Sequence, residues 1–286
     1  MAQRQEASRV ANRLSGDMQR AMELAQEAGS SSWLTALPLV AQGFSLHKGA
    51  FRDAVRIRYG WALENVPSNC VCGAPFTTDH AMTCSTGGFP TLRHNEVRDL
   101  TANLLDEVCS DVAIEPSLQP LSGETLPRST NREDGARLNI RARNFWGTAQ
   151  QVAFFDVRIF HPNAASYRSS SVSSLYRQHE KSKRQEYEAR VREVERGCFT
   201  PLVLTTSGGM GREATTFYKR LADLLATKRN CPYSVTMGWI RCCLAFAMLR
   251  SALLCAQGSR KLRASAAARE SFELSVSTGR LTIADI

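Results

Sequence analysis

The chain has 286 residues, of which 43% are hydrophobic, so it holds enough apolar material for a real core in one large or two modest domains. Its formal net charge is +9, and all but six of its 36 basic residues are arginine. This charge favours nucleic acid over small acidic substrates as a partner, although arginine usage that simply follows genome composition is an equal alternative.

Cysteine usage excludes a secreted, disulfide-rich domain. The chain has nine cysteines. The segment before them has mixed charge, whereas a secretory signal would contain an unbroken apolar run. We therefore expect a reducing, intracellular environment, nuclear or nucleocytoplasmic. Clustered cysteines in such an environment bind metal instead of pairing as disulfides.

The first 66 residues predict a helical segment. Apolar residues recur at helical spacing from Gln3 to Ala28, and shorter helical signals continue from Trp33 to Tyr59. We expect residues 1–66 to form either a helical subdomain or the tail of a larger unit.

A cluster of soft metal ligands follows within residues 67–92. It consists of Cys70, Cys72, His80 and Cys84. Three thiolates and one imidazole form one of the ligand sets with which Zn²⁺ completes a tetrahedron. The spacing therefore predicts a zinc knuckle, which would tie together a loop that has too little core to fold alone. The alternative is three buried core cysteines beside an unrelated histidine.

Residues 93–230 alternate between helix and strand signals. Their order is helix, strand, strand, strand, helix, strand, helix, over Arg93–Val108, Val112–Glu115, Ala136–Ala142, Gln151–Phe160, Leu175–Arg196, Pro201–Thr206 and Arg212–Lys228. This order predicts an α/β fold in which helices cover a central sheet.

The remaining residues, 231–286, predict a buried helix and a tail. The helix runs from Val235 to Gln257 and is the most apolar stretch of the chain. Arg241 and Arg250 interrupt it, and the uncharged run between them is too short to cross a membrane. We therefore expect no membrane partner.

One predicted strand carries a single acid among apolar residues. Asp156 and Arg158 lie two positions apart, so the period-two alternation of a strand sends both side chains to the face that Phe154 shares, and sends Phe155 and Val157 to the other. A metal-dependent nuclease needs oxygen ligands that converge on Mg²⁺ beside the scissile phosphate. Asp156 is a candidate ligand. The alternative is that it pairs with a nearby arginine.

A second ligand should come from the preceding strand. The candidate there is Asn139, whose amide oxygen can coordinate a metal but brings no charge, so it would bind Mg²⁺ more weakly than an aspartate. Asp134 and Glu133, five and six residues earlier, are the alternatives.

Taken in order, these residues resemble the C-terminal region of non-LTR retrotransposon polyproteins of the restriction-enzyme-like endonuclease type, in which a reverse transcriptase, a CCHC zinc knuckle and a PD-(D/E)XK-like endonuclease follow one another. The cysteine–histidine cluster resembles the knuckle, and Arg93-His94-Asn95 opens the helix after it. Asn139 stands where the family's first catalytic acid is expected. Asp156-Val157-Arg158 resembles the second acid with its trailing residue. Lys183, four residues before Tyr187, resembles the family's helical lysine.

The resemblance covers roughly residues 33–260 and implies a restriction-endonuclease-like mixed sheet flanked by helices, with a small zinc knuckle. It implies a Mg²⁺-dependent DNA endonuclease with structural zinc. Asp156 would ligate Mg²⁺, Lys183 would orient water or steady the phosphate, and Arg158 would replace the usual lysine. Asn139 would hold the first-acid position and weaken cleavage. The implied partners are DNA, with RNA as an alternative, and a reverse transcriptase encoded on the same element.

Two other classes of function remain open. One is a catalytically inactive nucleic-acid-binding module of the same fold. The other is a protein-interaction domain whose zinc clip is purely structural. The glycine-rich turn Ser207–Gly211 precedes a helix and could hold a phosphate on free N–H groups, but it lacks the lysine of a P-loop, and a tight turn is the favoured interpretation.

Overall fold

A computed structural model describes residues 13–147 and 151–258. The chain divides into two compact units, of which the first comprises Met1–Pro90 with Cys242–Ile286 and the second comprises Thr91–Arg241. The start of the predicted N-terminal helix and the predicted C-terminal tail lie outside the described residues.

The first unit is helical. Its helices before the unit boundary are α1 (Gly16–Gln26), α2 (Ser32–Thr35), α3 (Lys48–Tyr59) and α4 (Thr78–Thr83), with a 3₁₀ turn over Val40–Gln42. The His47 ring caps α3, since Nδ1 accepts from the Ala50 N–H at 3.2 Å. Gly60 ends α3 in the left-handed conformation (φ 67°), which glycine adopts without steric cost.

The second unit contains the sheet. Its elements are α5 (Phe89–Asp106, which begins just before the unit), β1 (Ser110–Ile114), β2 (Ile140–Arg143), β3 (Val152–Phe160), α6 (Val172–Glu193), β4 (Cys198–Thr205), α7 (Arg212–Arg229) and the start of α8 (Tyr233–Gly258). The predicted order of helices and strands is confirmed. The strand order is β1-β2-β3-β4, with β1–β2 and β2–β3 antiparallel and β3–β4 parallel. The fold is therefore α/β, with a four-stranded mixed sheet flanked by helices.

The parallel pair explains why a long helix lies between the last two strands. Parallel neighbours cannot be joined by a short hairpin, so the chain must cross over one face of the sheet. The helix α6 provides that crossover. It covers the sheet with Tyr187 and Val191, which pack against Phe154 of β3 and Phe199 of β4.

The two faces of β3 alternate as predicted. Phe154 belongs to the core beneath α6, whereas Phe155 points to the opposite face, where its ring packs edge-on against Phe145 (centroids 5.3 Å apart) and Phe217 (4.7 Å). The same alternation turns Asp156 toward α6, because it lies two residues after Phe154.

The second strand is shorter than predicted. It begins at Ile140, and the residues from Ala136 to Asn139 run as a loop in which Arg137 makes an isolated bridge to Ser117. Asn139 therefore lies just before the strand instead of within it. The segment still runs alongside the end of β1, since the Glu115 N–H donates to the Asn139 carbonyl at 2.9 Å.

The helix α8 is largely buried. By length and composition alone, Tyr233–Gln257 would be apolar enough to cross a membrane, with a mean hydropathy of 1.6. This is weak evidence for a span, because a core helix of a soluble protein meets the same criterion, and 78% of its apolar window is buried in the protein.

A buried arginine fastens the long loop between β1 and β2. Arg190 of α6 is fully buried, and its guanidinium donates to the carbonyls of Asn131 (3.1 Å), Glu133 (3.0 Å) and Gln119 (2.9 Å). Three carbonyl partners compensate a charge that would otherwise be costly to bury. The loop that leads to Asn139 is thereby held against α6.

Replacing Arg190 with methionine is expected to destabilise the protein by about 3 kcal/mol, because it removes the three hydrogen bonds that join a fully buried guanidinium to the loop. Urea denaturation would measure the loss. Arg192→Met is the matched control, since Arg192 is exposed and pairs with the neighbouring Glu193 at the surface, and it should change stability by less than about 0.5 kcal/mol. Equal effects of the two substitutions would contradict the role given to Arg190.

Candidate functional site

The four predicted zinc ligands come together in the first unit. One ligand atom from each of Cys70, Cys72, His80 and Cys84 lies within 4.8 Å of all the others. The Sγ atoms of Cys70 and Cys84 are 3.8 Å apart, and the Sγ of Cys72 is 3.2 Å from the Nε2 of His80. Tetrahedral zinc with Zn–S bonds of about 2.3 Å separates two sulfurs by about 3.8 Å. The cluster could therefore hold a metal ion such as zinc.

Local backbone geometry aims these ligands at one another. A tight turn follows Cys70, whose carbonyl accepts from the Gly73 N–H at 2.8 Å, and Gly73 adopts the positive φ (89°) that favours glycine. Thr77 caps α4 by accepting from the His80 N–H at 3.0 Å. The same short helix delivers Cys84, whose N–H donates to the His80 carbonyl at 2.8 Å.

A small apolar core lies next to the zinc cluster and includes a residue of α4. Met82, between the last two ligands, is 2% exposed. It packs in a cluster with Leu63, Ala252, Cys255 and Ala256, against which Ile57 and Phe89 also pack. A metal ion would thus fix α4 in the position from which Met82 reaches this core.

The acid and the helical lysine of the second unit also meet. Asp156 is 4% exposed, and its Oδ2 lies 3.1 Å from the Nζ of Lys183 on α6. The same ammonium lies 3.4 Å from the Oε2 of Glu186. Burial raises the pKa of the Asp156 carboxyl, and the positive charge of Lys183 opposes that rise. The pairing is with a lysine of the crossover helix, and not with an arginine as the alternative interpretation held.

Asn139 bonds the backbone of β3 one residue after the acid. Its Oδ1 accepts from the Val157 N–H at 2.6 Å, which takes the place of a strand-pairing bond where β2 has not yet begun. The register of β2 on β3 pairs Ile140 with Phe155, so Asn139 lies level with Asp156. The Asn139 side chain is bonded to the backbone of β3, whereas the Asp156 side chain turns to α6.

A histidine of α5 completes this arrangement. The Nε2 of His94 lies 3.2 Å from Asn139 Oδ1 and 3.1 Å from the Val157 carbonyl. Its charge also lowers the pKa of Asp156, against the effect of burial. In the sequence, His94 stands out only as part of the triplet Arg93-His94-Asn95 that opens the helix. No spacing signal linked it to Asn139, because the two residues are far apart in the chain.

The remaining residues that the sequence singled out lie outside the Asp156–Lys183 pair. Arg158 is exposed on β3, on the same face as Asp156. Glu133 and Asp134, the alternatives to Asn139, are exposed in the loop that Arg190 fastens. Within residues 13–147 and 151–258, the zinc cluster is the one group of three or more histidine, cysteine, aspartate or glutamate side chains placed to share a metal ion. The structure thus gives no support of that kind to a Mg²⁺ site.

The glycine-rich segment before α7 forms a tight turn, which is the interpretation that its sequence favours. The Gly209 N–H donates to Thr205 Oγ1 at 3.0 Å, and Gly208 has a φ of 91°. The N-terminus of α7 accepts an internal anion, since Glu180 Oε1 bonds the Glu213 N–H at 3.1 Å. The carboxylate of Glu180 therefore occupies the position that a phosphate would need.

A scan against models of known protein families finds no match to this chain, and no curated protein is significantly similar to it.

A second histidine, on the same helix as Lys183 and four residues before it, lies in an unusual environment. His179 of α6 packs against the rings of Phe160 (centroids 4.6 Å apart) and Tyr167 (5.5 Å). Burial lowers its pKa to about 4, with the charges of Arg158 and Lys183 adding to the effect. His179 is therefore neutral in the folded protein at pH values where it would ionise in the unfolded chain.

This histidine should make the protein sensitive to acid. Between pH 6.5 and 4 the unfolded chain binds a proton at His179 that the folded protein does not, so stability falls as the pH falls through that range. After allowance for its partial exposure, we expect about 1 kcal/mol of stability to be lost between pH 7 and 5. His179→Phe keeps the ring packing without the titration and should remove that loss. Urea denaturation at both pH values tests this, and an identical pH dependence in parent and variant would contradict it.

Proposed function

We propose that the second unit is a Mg²⁺-dependent DNA endonuclease module derived from a non-LTR retroelement and weakened by Asn139, and that the cluster in the first unit holds a structural zinc ion. The observation that carries the proposal is the pair formed by buried Asp156 and Lys183, whose Oδ2 and Nζ lie 3.1 Å apart. These two residues come from a strand and from the helix after it, as the family resemblance implies.

The topology supports a restriction-endonuclease-like fold. A helix precedes three antiparallel strands, α6 crosses over, and β4 lies parallel to β3 in the order β1-β2-β3-β4. The acid then lies on a central strand of the sheet, with Asn139 at the start of the neighbouring strand.

The chemistry follows from the residues of this site. Asp156 and the amide oxygen of Asn139 are the groups that would hold Mg²⁺, which would activate water and stabilise charge on the phosphate oxygens. Lys183 neutralises the buried carboxylate of Asp156 and would steady the phosphate or orient water. Arg158, which is exposed on the same face, would contact the DNA backbone. The net charge of +9 adds long-range attraction for nucleic acid.

The second candidate function is a catalytically inactive nucleic-acid-binding module of the same fold. Asn139 favours it, because this residue brings no charge and its Oδ1 already accepts from the Val157 N–H. In this case the arginines would still bind DNA or RNA, and a reverse transcriptase of the same element would supply the other activities.

Nicking of supercoiled plasmid tests the proposal. The parent protein is expected to nick in Mg²⁺, and Asp156→Asn, which keeps the shape of the side chain, is expected to abolish nicking. Asp223→Ala is the matched control, since Asp223 is an exposed acid in a surface pair with Arg220, and it should nick like the parent. Mg²⁺ should be withheld instead of chelated, because a chelator would also strip zinc.

Three other results would decide against the proposal. Equal nicking by parent and Asp156→Asn would assign cleavage to a contaminant or to another site. No nicking, with DNA binding that weakens steeply as salt is added, would favour the inactive binding module. Neither nicking nor binding would leave a protein-interaction domain with a structural zinc clip.

A further inference from the structure

Two aromatic rings stack on each other at the surface of the first unit. Tyr59, the last residue of α3, and Trp61, two residues later, have ring centroids 5.2 Å apart and planes inclined by 30°. The residues are 41% and 52% exposed. Large apolar rings held in water are costly to expose, so a stacked and exposed pair points to a partner.

Hydrogen bonds fix the backbone at the aromatic pair. Between its two members, Gly60 takes the left-handed conformation and ends α3, while the Trp61 N–H donates to the Arg56 carbonyl at 2.8 Å. Arg58 is fixed too, because its Nη2 donates to the Ala25 carbonyl at 2.8 Å. The backbone that carries the stacked rings is therefore ordered before a ligand binds, which lowers the entropy cost of binding.

A cation lies next to the rings. The guanidinium of Arg58 lies 5.6 Å from the centre of the Tyr59 ring, and Lys48 is exposed at the other end of α3. From residue 47 to 66 the chain has four basic and two acidic residues, which are Lys48, Arg52, Arg56, Arg58, Asp53 and Glu64. The local excess of positive charge suits a polyanion better than an apolar peptide.

Residues that flank the aromatic pair in sequence share a small core with Met82 of the zinc cluster's helix. Ile57 and Leu63, which flank the pair in sequence, both pack in the cluster that contains Met82. Met82 lies between the ligands His80 and Cys84. Closing the zinc cluster would therefore also steady the segment that carries the two rings.

We propose that Tyr59 and Trp61 form a stacking platform for the unpaired bases of single-stranded nucleic acid. Every base offers a flat face that can stack on an aromatic ring, whereas the bases of a duplex already stack on each other. Arg58 would lie beside the backbone phosphates. This site is separate from the proposed cleavage site, since it belongs to the first unit and uses none of its residues.

Fluorescence anisotropy with labelled ten-nucleotide oligothymidylate and a labelled duplex tests the platform. Stacking of one base contributes about 1–3 kcal/mol, so Trp61→Ala and Tyr59→Ala should each weaken oligothymidylate binding by about 5- to 150-fold. Duplex binding should change by less than about twofold. Tyr233→Ala, which truncates an exposed tyrosine of the other unit (43% exposed), should leave both affinities unchanged. Zinc content and thermal denaturation would confirm that the variants remain folded.

Several outcomes would overturn the platform. It is wrong if the parent does not bind oligothymidylate, if both ring variants bind it like the parent, or if duplex binding falls equally. A platform that serves a protein partner would also give ring variants with unchanged oligothymidylate binding. The test is independent of cleavage, because Asp156→Asn should leave oligothymidylate affinity unaltered whether or not the parent nicks plasmid.

Discussion

Replacing Asn139 with aspartate is expected to raise Mg²⁺-dependent plasmid nicking by about 10- to 1,000-fold over the parent. The substitution adds a carboxylate charge at the start of β2 and changes neither the size nor the shape of the side chain. In the parent, Asn139 Oδ1 accepts from the Val157 N–H at 2.6 Å and lies near His94 Nε2, and an aspartate oxygen can take the same place. An ionised ligand contributes several kcal/mol more to holding a divalent cation than an amide does, and each 1.4 kcal/mol is a factor of ten.

The control for this substitution is another asparagine close to the sheet. Asn144 follows β2 and its amide donates to Ser110 Oγ at 3.0 Å, so Asn144→Asp also adds a carboxylate near a strand end, although away from Asp156. It should not increase nicking. The double variant Asn139→Asp with Asp156→Asn should be inactive. Nicking by Asn139→Asp no greater than that of the parent would contradict the assignment of residue 139 as a ligand position.

Binding of the ion can be measured apart from cleavage. A cation that binds only the folded protein raises its stability as its concentration rises. Asn139→Asp should therefore gain thermal stability in millimolar Mg²⁺, while Asn144→Asp should not. The added charge should also make Asn139→Asp less stable than the parent without Mg²⁺, since two carboxylates would then lie level with each other, one on β3 and one just before β2.

The order of helices and strands could be predicted because local patterns determine it. Phe154, Asp156 and Arg158 alternate with Phe155 and Val157, which identifies a strand with two different faces. The structure bears this out, with Phe154 beneath α6 and Phe155 against Phe217. The charged helix predicted from Leu175 to Arg196 corresponds to α6, the crossover helix between β3 and β4.

The start of β2 could not be predicted in the same way. Apolar residues continue before Ile140, so the pattern alone extends the strand to Ala136. In the structure, the carbonyls of this part of the chain and of the preceding loop are engaged by other groups, among them Arg190, which bonds Asn131 and Glu133. Such long-range bonds leave no periodic signal in the sequence.

The same limit applies to the site. Asp156 and Lys183 could be named from a strand pattern and a family resemblance, but the contact between His94 and Asn139 joins residues 45 positions apart. The Glu180 carboxylate at the start of α7 was also not predictable, because it comes from a neighbouring helix. By contrast, the four soft ligands lie within fifteen positions, so their convergence needs only local turns.

Removal of zinc is expected to have the largest effect on stability. Freshly purified protein should contain one zinc ion per chain, and Cys84→Ser should lower zinc affinity at least 100-fold, because a hydroxyl cannot replace a thiolate in a Cys₃His set. Structural zinc contributes about 10 kcal/mol or more to folding in small zinc domains, so losing it should unfold the cluster and free Met82 from the core it shares with Leu63. Metal analysis and thermal denaturation would measure both losses.

Cys109→Ser is the matched control, since Cys109 is a partly buried cysteine outside the cluster. Zinc binding should also weaken as the pH falls, because protons compete with zinc for the thiolate and imidazole ligands. Unchanged zinc content in Cys84→Ser would refute the assignment of Cys84 as a zinc ligand.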